Sequence, residues 1–255
     1  MKRMHNVSFR IVDGKERVSP TPPMSVQLIA YPKDIEKLIV FAARSTYKGH
    51  EACEWDKLPE IDKTVKRMLS TFLQCGHGSV IEHGLFTFDI RNVSRALTHQ
   101  LVRHRMASYT QESQHYIDYD KMTFVMPDKL NPTQKQIFLE SCRNAFRTYR
   151  DMIDAGYPHS EARGILPNAV ATRVVASFNA RSLYNFFGLR CCHRNTWEIK
   201  KLAWKMLAIC KKAAPILFEN AGPRCFQLGF CPEGRLHCGV YEDISVYGLG
   251  TRGPE

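Results

Sequence analysis

Apolar residues recur at helical spacing after Pro32, at Ile35, Leu38, Ile39, Ala42 and Ala43, and again at Val65, Met68, Leu69, Phe72 and Leu73 ahead of Gly76. Both stretches predict amphipathic helices. The period drops to two over 84–91, GLFTFDIR, where Phe86, Phe88 and Ile90 fall on one side, as in a half-buried strand. Helical spacing resumes through Val93, Ala96, Leu97, Gln100, Leu101 and His104, which places the RHR of 103–105 at the end of a helix. The polar run SYTQESQHY, 108–116, has no period and predicts an ordered loop; a strand over about 123–126 comes next. Asn131 and Pro132 form a cap and first-turn pair for a helix striped by Phe138, Cys142, Phe146, Tyr149 and Ile153 and ended by Gly156. A short helix near Ser160 presents Arg163 before Pro167 stops it. Alternation returns in TRVVASF, 172–178, and the helical pattern after it, with Leu183, Phe186 and Phe187, carries Arg190. In the last long helix Asn195 and Glu198 have capping-box spacing, and Ile199, Leu202, Ala203, Met206, Leu207 and Cys210 line the inner face, up to Gly222 and Pro223.

These elements predict an α/β (α+β) fold, an antiparallel sheet packed with helices. No repeat or linker divides the chain, so one domain over 1–255 is expected, with a Cys/Gly/Pro-rich arm at about 222–255. Hydrophobic residues at 44% and charged residues at 24% exclude disordered, collagen-like and coiled-coil descriptions of the whole chain. The polar start and the lack of a long uncharged apolar run predict neither secretion nor membrane spanning, hence a cytoplasmic protein. Lys and Arg outnumber Asp and Glu by 36 to 25, a net +11 that favours an anionic partner: a nucleotide, a nucleic acid or a polyanionic cofactor. Nine cysteines, an odd count, suggest reduced thiols rather than a disulfide framework.

The densest chemistry is QLVRHR at 100–105 with the loop that ends in Ser113. On a helix, Gln100, Arg103 and His104 share a face. A guanidinium clamps phosphate or carboxylate oxygens, and an amide such as Gln100 or Gln111 suits a pyrimidine edge. The bland alternative is a solvated basic helix end, favourable against the C-terminal dipole. Arg163, Arg181 and Arg190 lie beside apolar residues, and no Asp or Glu occurs from 162 to 197, so a ligand anion is the simpler partner than an internal salt bridge. Cys225, Cys231, His237 and Cys238, with Cys191, Cys192 and His193, invite a metal, yet no C-x-x-C pair occurs; a thiol-rich tail without metal is expected. His5, His50, His99 and His159 read as surface or satisfied core groups. Tyr109, Tyr116 and Tyr119 beside so much positive charge keep a nucleic-acid-binding protein as a rival reading.

RHRMASYTQES at 103–113 has the RHR-x7-S pattern of the flavin-dependent thymidylate synthases, and the chain resembles that family over about 30–220. CGHGSVIEH at 75–83 is similar to the family's HG(H/x)(S/T)xxEH segment. FTF at 86–88 and QLVRHR come in family order, and NARSLYNFFGLR at 179–190 resembles its later Asn-Ala-Arg-Ser-Leu stretch. The resemblance implies the family's fold and methylation of dUMP to dTMP, with methylenetetrahydrofolate as carbon donor, FAD as hydride carrier and NADPH as reductant. It further implies a homotetramer with shared sites, small-molecule ligands, and neither nucleic acid nor membrane as partner. By the same resemblance, Ser79, Arg103, His104, Arg105, Gln111, Asn179, Ala180, Arg181 and Asn185 match flavin-contacting positions, and His77, Glu82 and His83 a flavin-side segment. Gln100, Leu101, Val102, Arg103, Gln111, Glu112, Ser113, Gln114, His115, Arg163 and Arg190 match nucleotide-contacting positions, Arg190 being the catalytic one. A charged Arg190 would act by stabilising negative charge on the pyrimidine. Ser113, with no partner base evident, is expected to bind rather than attack. No G-x-G-x-x-G stands after a strand, so the flavin rests on the resemblance alone. A flavin reductase or oxidase without methylation is the remaining alternative within that class.

One position departs from the family, which usually writes S-x-R-Y where this chain has SQHY; His115 replaces the arginine. An imidazole is only partly charged near neutrality. Nucleotide affinity should therefore strengthen as pH falls from about 8 to about 6; a flat profile matching that of His115→Ala, measured by equilibrium binding, would remove the idea.

Overall fold

A computed structural model describes residues 6–12, 15–48, 54–58, 63–117 and 120–239. His5, His50, Cys53, Tyr119 and the arm beyond Gly239 lie outside the described residues. The chain divides into two compact units, one from the described parts of Met1–Gln27, Phe88–Arg105 and Tyr109–Ala176, the other from those of Leu28–Thr87, Met106–Ser108 and Ser177–Glu255.

In the first unit, β1 (Asn6–Val12) pairs antiparallel with β2 (Lys15–Pro20) on one side and β6 (Lys121–Val125) on the other. The register sets Val7 opposite Phe124 and Phe9 opposite Met122. Alternation turns these four side chains to one face, where none has exposed surface. Against that face packs α4 (Pro132–Asp154) through Cys142, Phe146 and Tyr149. The ring of Phe9 meets Phe124 edge-on at 5.7 Å and stacks on Phe146 at 6.4 Å. The cap pair expected for α4 is a full capping box: Asn131 Oδ1 accepts from Gln134 N and Gln134 Oε1 from Asn131 N. Beyond it, α5 (His159–Ala162) is fastened by Tyr149 Oη and His159 Nδ1, 3.1 Å apart.

A second sheet has the order β3 (Ser25–Ala30), β4 (Leu85–Ser94), β7 (Ala171–Asn179), β5 (Ala107–Gln111). In the second unit, α1 (Ile35–Lys48), α2 (Lys63–Gln74), α6 (Ala180–Arg190) and α7 (Trp197–Ala213) enclose an aromatic core. Phe218 is its centre, with Phe86, Tyr184 and Phe187 at centroid distances of 5.3, 5.8 and 6.1 Å. Short α8 (Arg224–Leu228) begins the arm, and Gln227 Nε2 ties it down by donating to Gly222 O and Tyr184 O. No helix among the described residues is long and apolar enough to cross a membrane.

Antiparallel strands packed with helices agree with the expectation, and the helices after Pro32, Pro132 and Asn179 lie where the periodicity puts them. The structure also departs from the expectations in several places. Strands β1 to β3 are additions to the sequence reading, although Val7 and Phe9 alternate clearly. The polar stretch from 108 is not all loop: its first part is β5, whose side chains are half-buried or exposed, so hydrophobic alternation cannot mark it. Val93 belongs to β4, and α3 (Arg95–Leu101) stops before the RHR. The residue capping α7 is Thr196 rather than Asn195, whose amide is engaged elsewhere, and that helix ends at Ala213.

Glu36, in the first turn of α1, is 4% exposed, and its Oε1 accepts from the backbone N–H groups of Ile216 and Leu217 at 2.8 and 2.9 Å. Removing that acceptor orphans two N–H groups, so Glu36→Ala should cost about 2–3 kcal/mol, and Glu36→Gln, which keeps an oxygen there, clearly less. Urea denaturation of the two variants measures the difference.

Candidate functional site

In the first unit β4 turns directly into α3, and the junction is sealed by Ser94, whose Oγ accepts from Leu97 N at 3.0 Å. Helix α3 ends at Leu101 with Val102 as C-cap, so Arg103 and His104 stand on a turn rather than on the helix face shared with Gln100. The turn separates them: Arg103 and Arg105 are exposed, whereas His104 is 7% exposed. Tyr109 of β5 holds it closed, its hydroxyl shared between Leu101 O at 3.0 Å and His104 O at 2.8 Å. Burial pushes the phenol pKa up, which keeps the donor protonated.

Two residues on, Gln111 Nε2 donates to Thr98 Oγ1 and Thr172 Oγ1 at 3.2 and 3.4 Å, which orients its amide oxygen as the end available to a ligand. Glu112 is held through its main chain, its N–H donating to Arg173 O and its carbonyl accepting from Arg95 Nη2. Ser113 Oγ accepts from His115 N at 3.1 Å, closing a local turn. Gln114 is 7% exposed, and among the described residues its Nε2 has no hydrogen-bond partner. His115 is exposed, its ring edge-on to Tyr116 at 4.5 Å. Arg163, just past α5, is exposed and donates from Nε to Ser160 O at 3.3 Å. Leu101, by contrast, has no exposed surface and supports the turn from within.

Nearby in this unit, the buried Asp89 takes Arg173 Nε at 2.8 Å and Arg91 Nη2 at 2.6 Å. The Arg173 guanidinium, against the opposing effect of burial, holds the Asp89 carboxyl below the usual carboxylate range, and Asp89 in turn raises Arg173.

In the second unit the CGHGSVIEH segment forms a 3-10 helix, Gly78–His83, leading into β4. Glu82 pairs with Arg181 Nη1 at 2.6 Å, both side chains substantially exposed. Arg181 also crosses Gly78 so closely that a Cβ there would sit 2.9 Å from its Nε. Arg181 thus has an internal acid partner, 99 residues away in sequence, where the sequence suggested a ligand anion alone. Ser79 and His83 line a cavity of about 410 Å³ beside α1. Asn179 Oδ1 caps α6 by accepting from Ser182 N at 2.8 Å, Asn185 is exposed on α6, and Ala180 is fully buried against Gly84 and Ile35.

Arg190 ends α6 and lines a cavity of about 520 Å³ with Arg194 and Arg224. Its Nη1 donates to Asn195 Oδ1 at 3.2 Å, while Asn195 Nδ2 donates to Leu189 O at 2.6 Å and Cys192 O at 3.4 Å. Burial lowers the Arg190 pKa from its ordinary value. Tyr109, Thr98, Thr172, Glu82 as an ion-pair partner, and Asn195 as the holder of Arg190 go beyond the sequence reading. Tyr109 and Gln111, two apart on one side of a strand, are the available signal for the first three. Among the described residues no group of three or more His, Cys, Asp or Glu side chains is arranged to hold a metal ion.

The model of a family described as thymidylate synthase complementing protein matches residues 27–216. A flavin-dependent thymidylate synthase of Geobacter sulfurreducens is 42% identical over 226 residues, 87% of this chain and 96% of the relative. Proteins of the same name from Nitratidesulfovibrio vulgaris and Pyrococcus furiosus are 39% and 41% identical, over 87% and 83% of this chain and 97% and 90% of their own lengths.

Tyr109→Phe removes the donor that closes the arginine turn. It should lower stability by about 1 kcal/mol and speed hydrogen exchange at the Val102 and His104 amides, with exchange in α4 unchanged, as amide-resolved NMR would record.

Proposed function

The chain belongs to the thymidylate synthase complementing protein family, and from that membership we propose that it is a flavin-dependent thymidylate synthase. It methylates dUMP to dTMP with methylenetetrahydrofolate as carbon donor, FAD as the flavin and NADPH as reductant. The observation that carries this reading is the meeting of two motif segments through Glu82, Gly78 and Arg181. Residues that resemblance assigns to one flavin are thereby in side-chain contact.

The donor set suits a dinucleotide bearing a pyrophosphate. In the second unit Arg181 supplies a cation, Ser79 a hydroxyl and Gly78 a position with little room for a side chain, while Arg103 and Arg105 match flavin-contacting cations of the family by motif alone. FAD bound by these residues would supply hydride transfer. Arg163, the Ser113 hydroxyl and His115 attract the nucleotide phosphate. Because Ser113 Oγ already accepts an N–H, its proton is free to be donated, a binding role rather than a nucleophilic one. Gln111 presents its amide oxygen to an N–H of the uracil, and Gln114 Nε2 is a buried donor suited to a substrate acceptor. Arg190, steadied by Asn195, stabilises the negative charge that develops on the pyrimidine.

The chain acts as one functional domain, in keeping with a single family model that matches residues 27–216. Met106 and Tyr116, 75% and 81% exposed, suit a homotetramer in which neighbouring copies cover them. The described cysteines are free thiols, in keeping with a cytoplasmic protein.

Purified chain with FAD should oxidise NADPH faster when dUMP is added and form dTMP once methylenetetrahydrofolate is supplied. Arg190→Ala should lower dTMP turnover by about 100-fold or more. Oxidation indifferent to dUMP, with no dTMP, would leave a flavin reductase instead; no oxidation together with salt-dependent oligonucleotide binding would leave a nucleic-acid-binding protein.

A further inference from the structure

Three cysteines of the arm border one cavity. Cys192, just past α6, and Cys225, Cys231 and Cys238 of the arm all line a small, largely enclosed cavity of about 30 Å³ beneath Trp204 and Phe226. Cys225 and Cys192 are half-buried and Cys231 is 6% exposed. Four of the eight described cysteines thus share a single lining, although they come from two stretches of chain. The arm is held there by Gln227 and by the Arg194–Glu233 ion pair at 2.6 Å, so the grouping does not depend on a loose tail.

Cys192, Cys225 and Cys231 also line the adjoining 520 Å³ cavity, together with the guanidinium-bearing Arg190, Arg194 and Arg224. That cavity gives the thiols access to solvent, and its lining carries three guanidinium groups against one carboxylate, Glu233, which Arg194 already engages. Its charge suits a small reagent carrying carboxylates.

We propose that Cys225 and Cys231 form a reversible dithiol modification site that reacts with small anionic disulfides of the glutathione type. Cys225, the more accessible of the two, attacks one sulfur of the disulfide as thiolate; the S–S bond breaks and one thiol leaves with a proton. Cys231 then attacks the Cys225 sulfur of the mixed disulfide and expels the second thiol. Two electrons and two protons pass to the small disulfide, and the protein gains one S–S bond. Burial is the main obstacle to ionisation of Cys225, and Cys231 adds to it.

The sequence offers a direct readout, because cleavage after Arg224 and Arg235 releases CFQLGFCPEGR, 225–235, with both cysteines in one peptide. The full chain is incubated with oxidised glutathione, alkylated without reduction and mapped by mass spectrometry. The peptide should lose two hydrogens, and dithiothreitol should restore it. Cys231→Ser should halt the reaction at a glutathione adduct on Cys225, and Cys225→Ser should abolish both products. Phenylarsine oxide, a reagent for paired thiols, should be captured one to one by the native chain, which keeps the test decisive if a buried serine impairs folding. Adducts confined to Cys75 or Cys238, or a fully alkylated 225–235 peptide after oxidation, would overturn the proposal.

Discussion

Two junctions where a strand becomes a helix without an intervening loop govern where the chemistry stands. At each, one side-chain oxygen closes the helix: Ser94 between β4 and α3, Asn179 between β7 and α6. A helix start leaves backbone donors unsatisfied, and the cap answers one while the strand fixes the direction of entry. Helix length then decides which residue stands at the far end. Seven residues of α3 deliver the RHR turn, and eleven residues of α6 deliver Arg190. Errors at a cap would therefore displace the arginines that lie one helix away.

Two cations of the candidate site have side-chain partners. Arg181 leans on Glu82 and Arg190 on the Asn195 amide. An exposed pair such as the first contributes little to stability; its effect is to hold a long side chain in one orientation. Asn195 accomplishes more with one amide, since it satisfies Leu189 O and Cys192 O at the end of α6 with its nitrogen while its oxygen receives the guanidinium. The end of the helix and the aim of its last charge are thus settled by the same group. In the first unit Asp89 plays a comparable part between Arg91 and Arg173, out of water and acceptor to both.

The legibility of the sequence divides along physical lines. The stripe of α4 and the alternation of β4 and β7 are legible because one face of each is mostly apolar. The β1 strand carries the same alternation in Val7 and Phe9, so the sequence holds a signal for it. Strand β5 is beyond that method, since Tyr109 and Gln111 face inward through hydrogen bonds rather than apolar contacts. For the candidate site, the family motifs propose residues, but the geometry of those residues is not legible in the sequence. A helical wheel places Gln100, Arg103 and His104 on one face, whereas the helix ends at Leu101. Glu82 could not be identified as the partner of Arg181 from local sequence, because ion pairing between distant segments depends on the fold and not on the spacing.

The turn closed by Tyr109 bears on the thermodynamics of recognition. A backbone already tied at Leu101 and His104 has little freedom left to surrender. Ordering a flexible residue's main chain costs about 1–2 kcal/mol, and that loss is met here during folding. The disorder still to be lost resides in the exposed side chains of Arg103 and Arg105, so an anion that engages only one of them leaves the other's rotamer entropy intact. Discrimination between a monoanion and a ligand broad enough to span both is thereby shifted from the backbone to two flexible arms on a rigid mount.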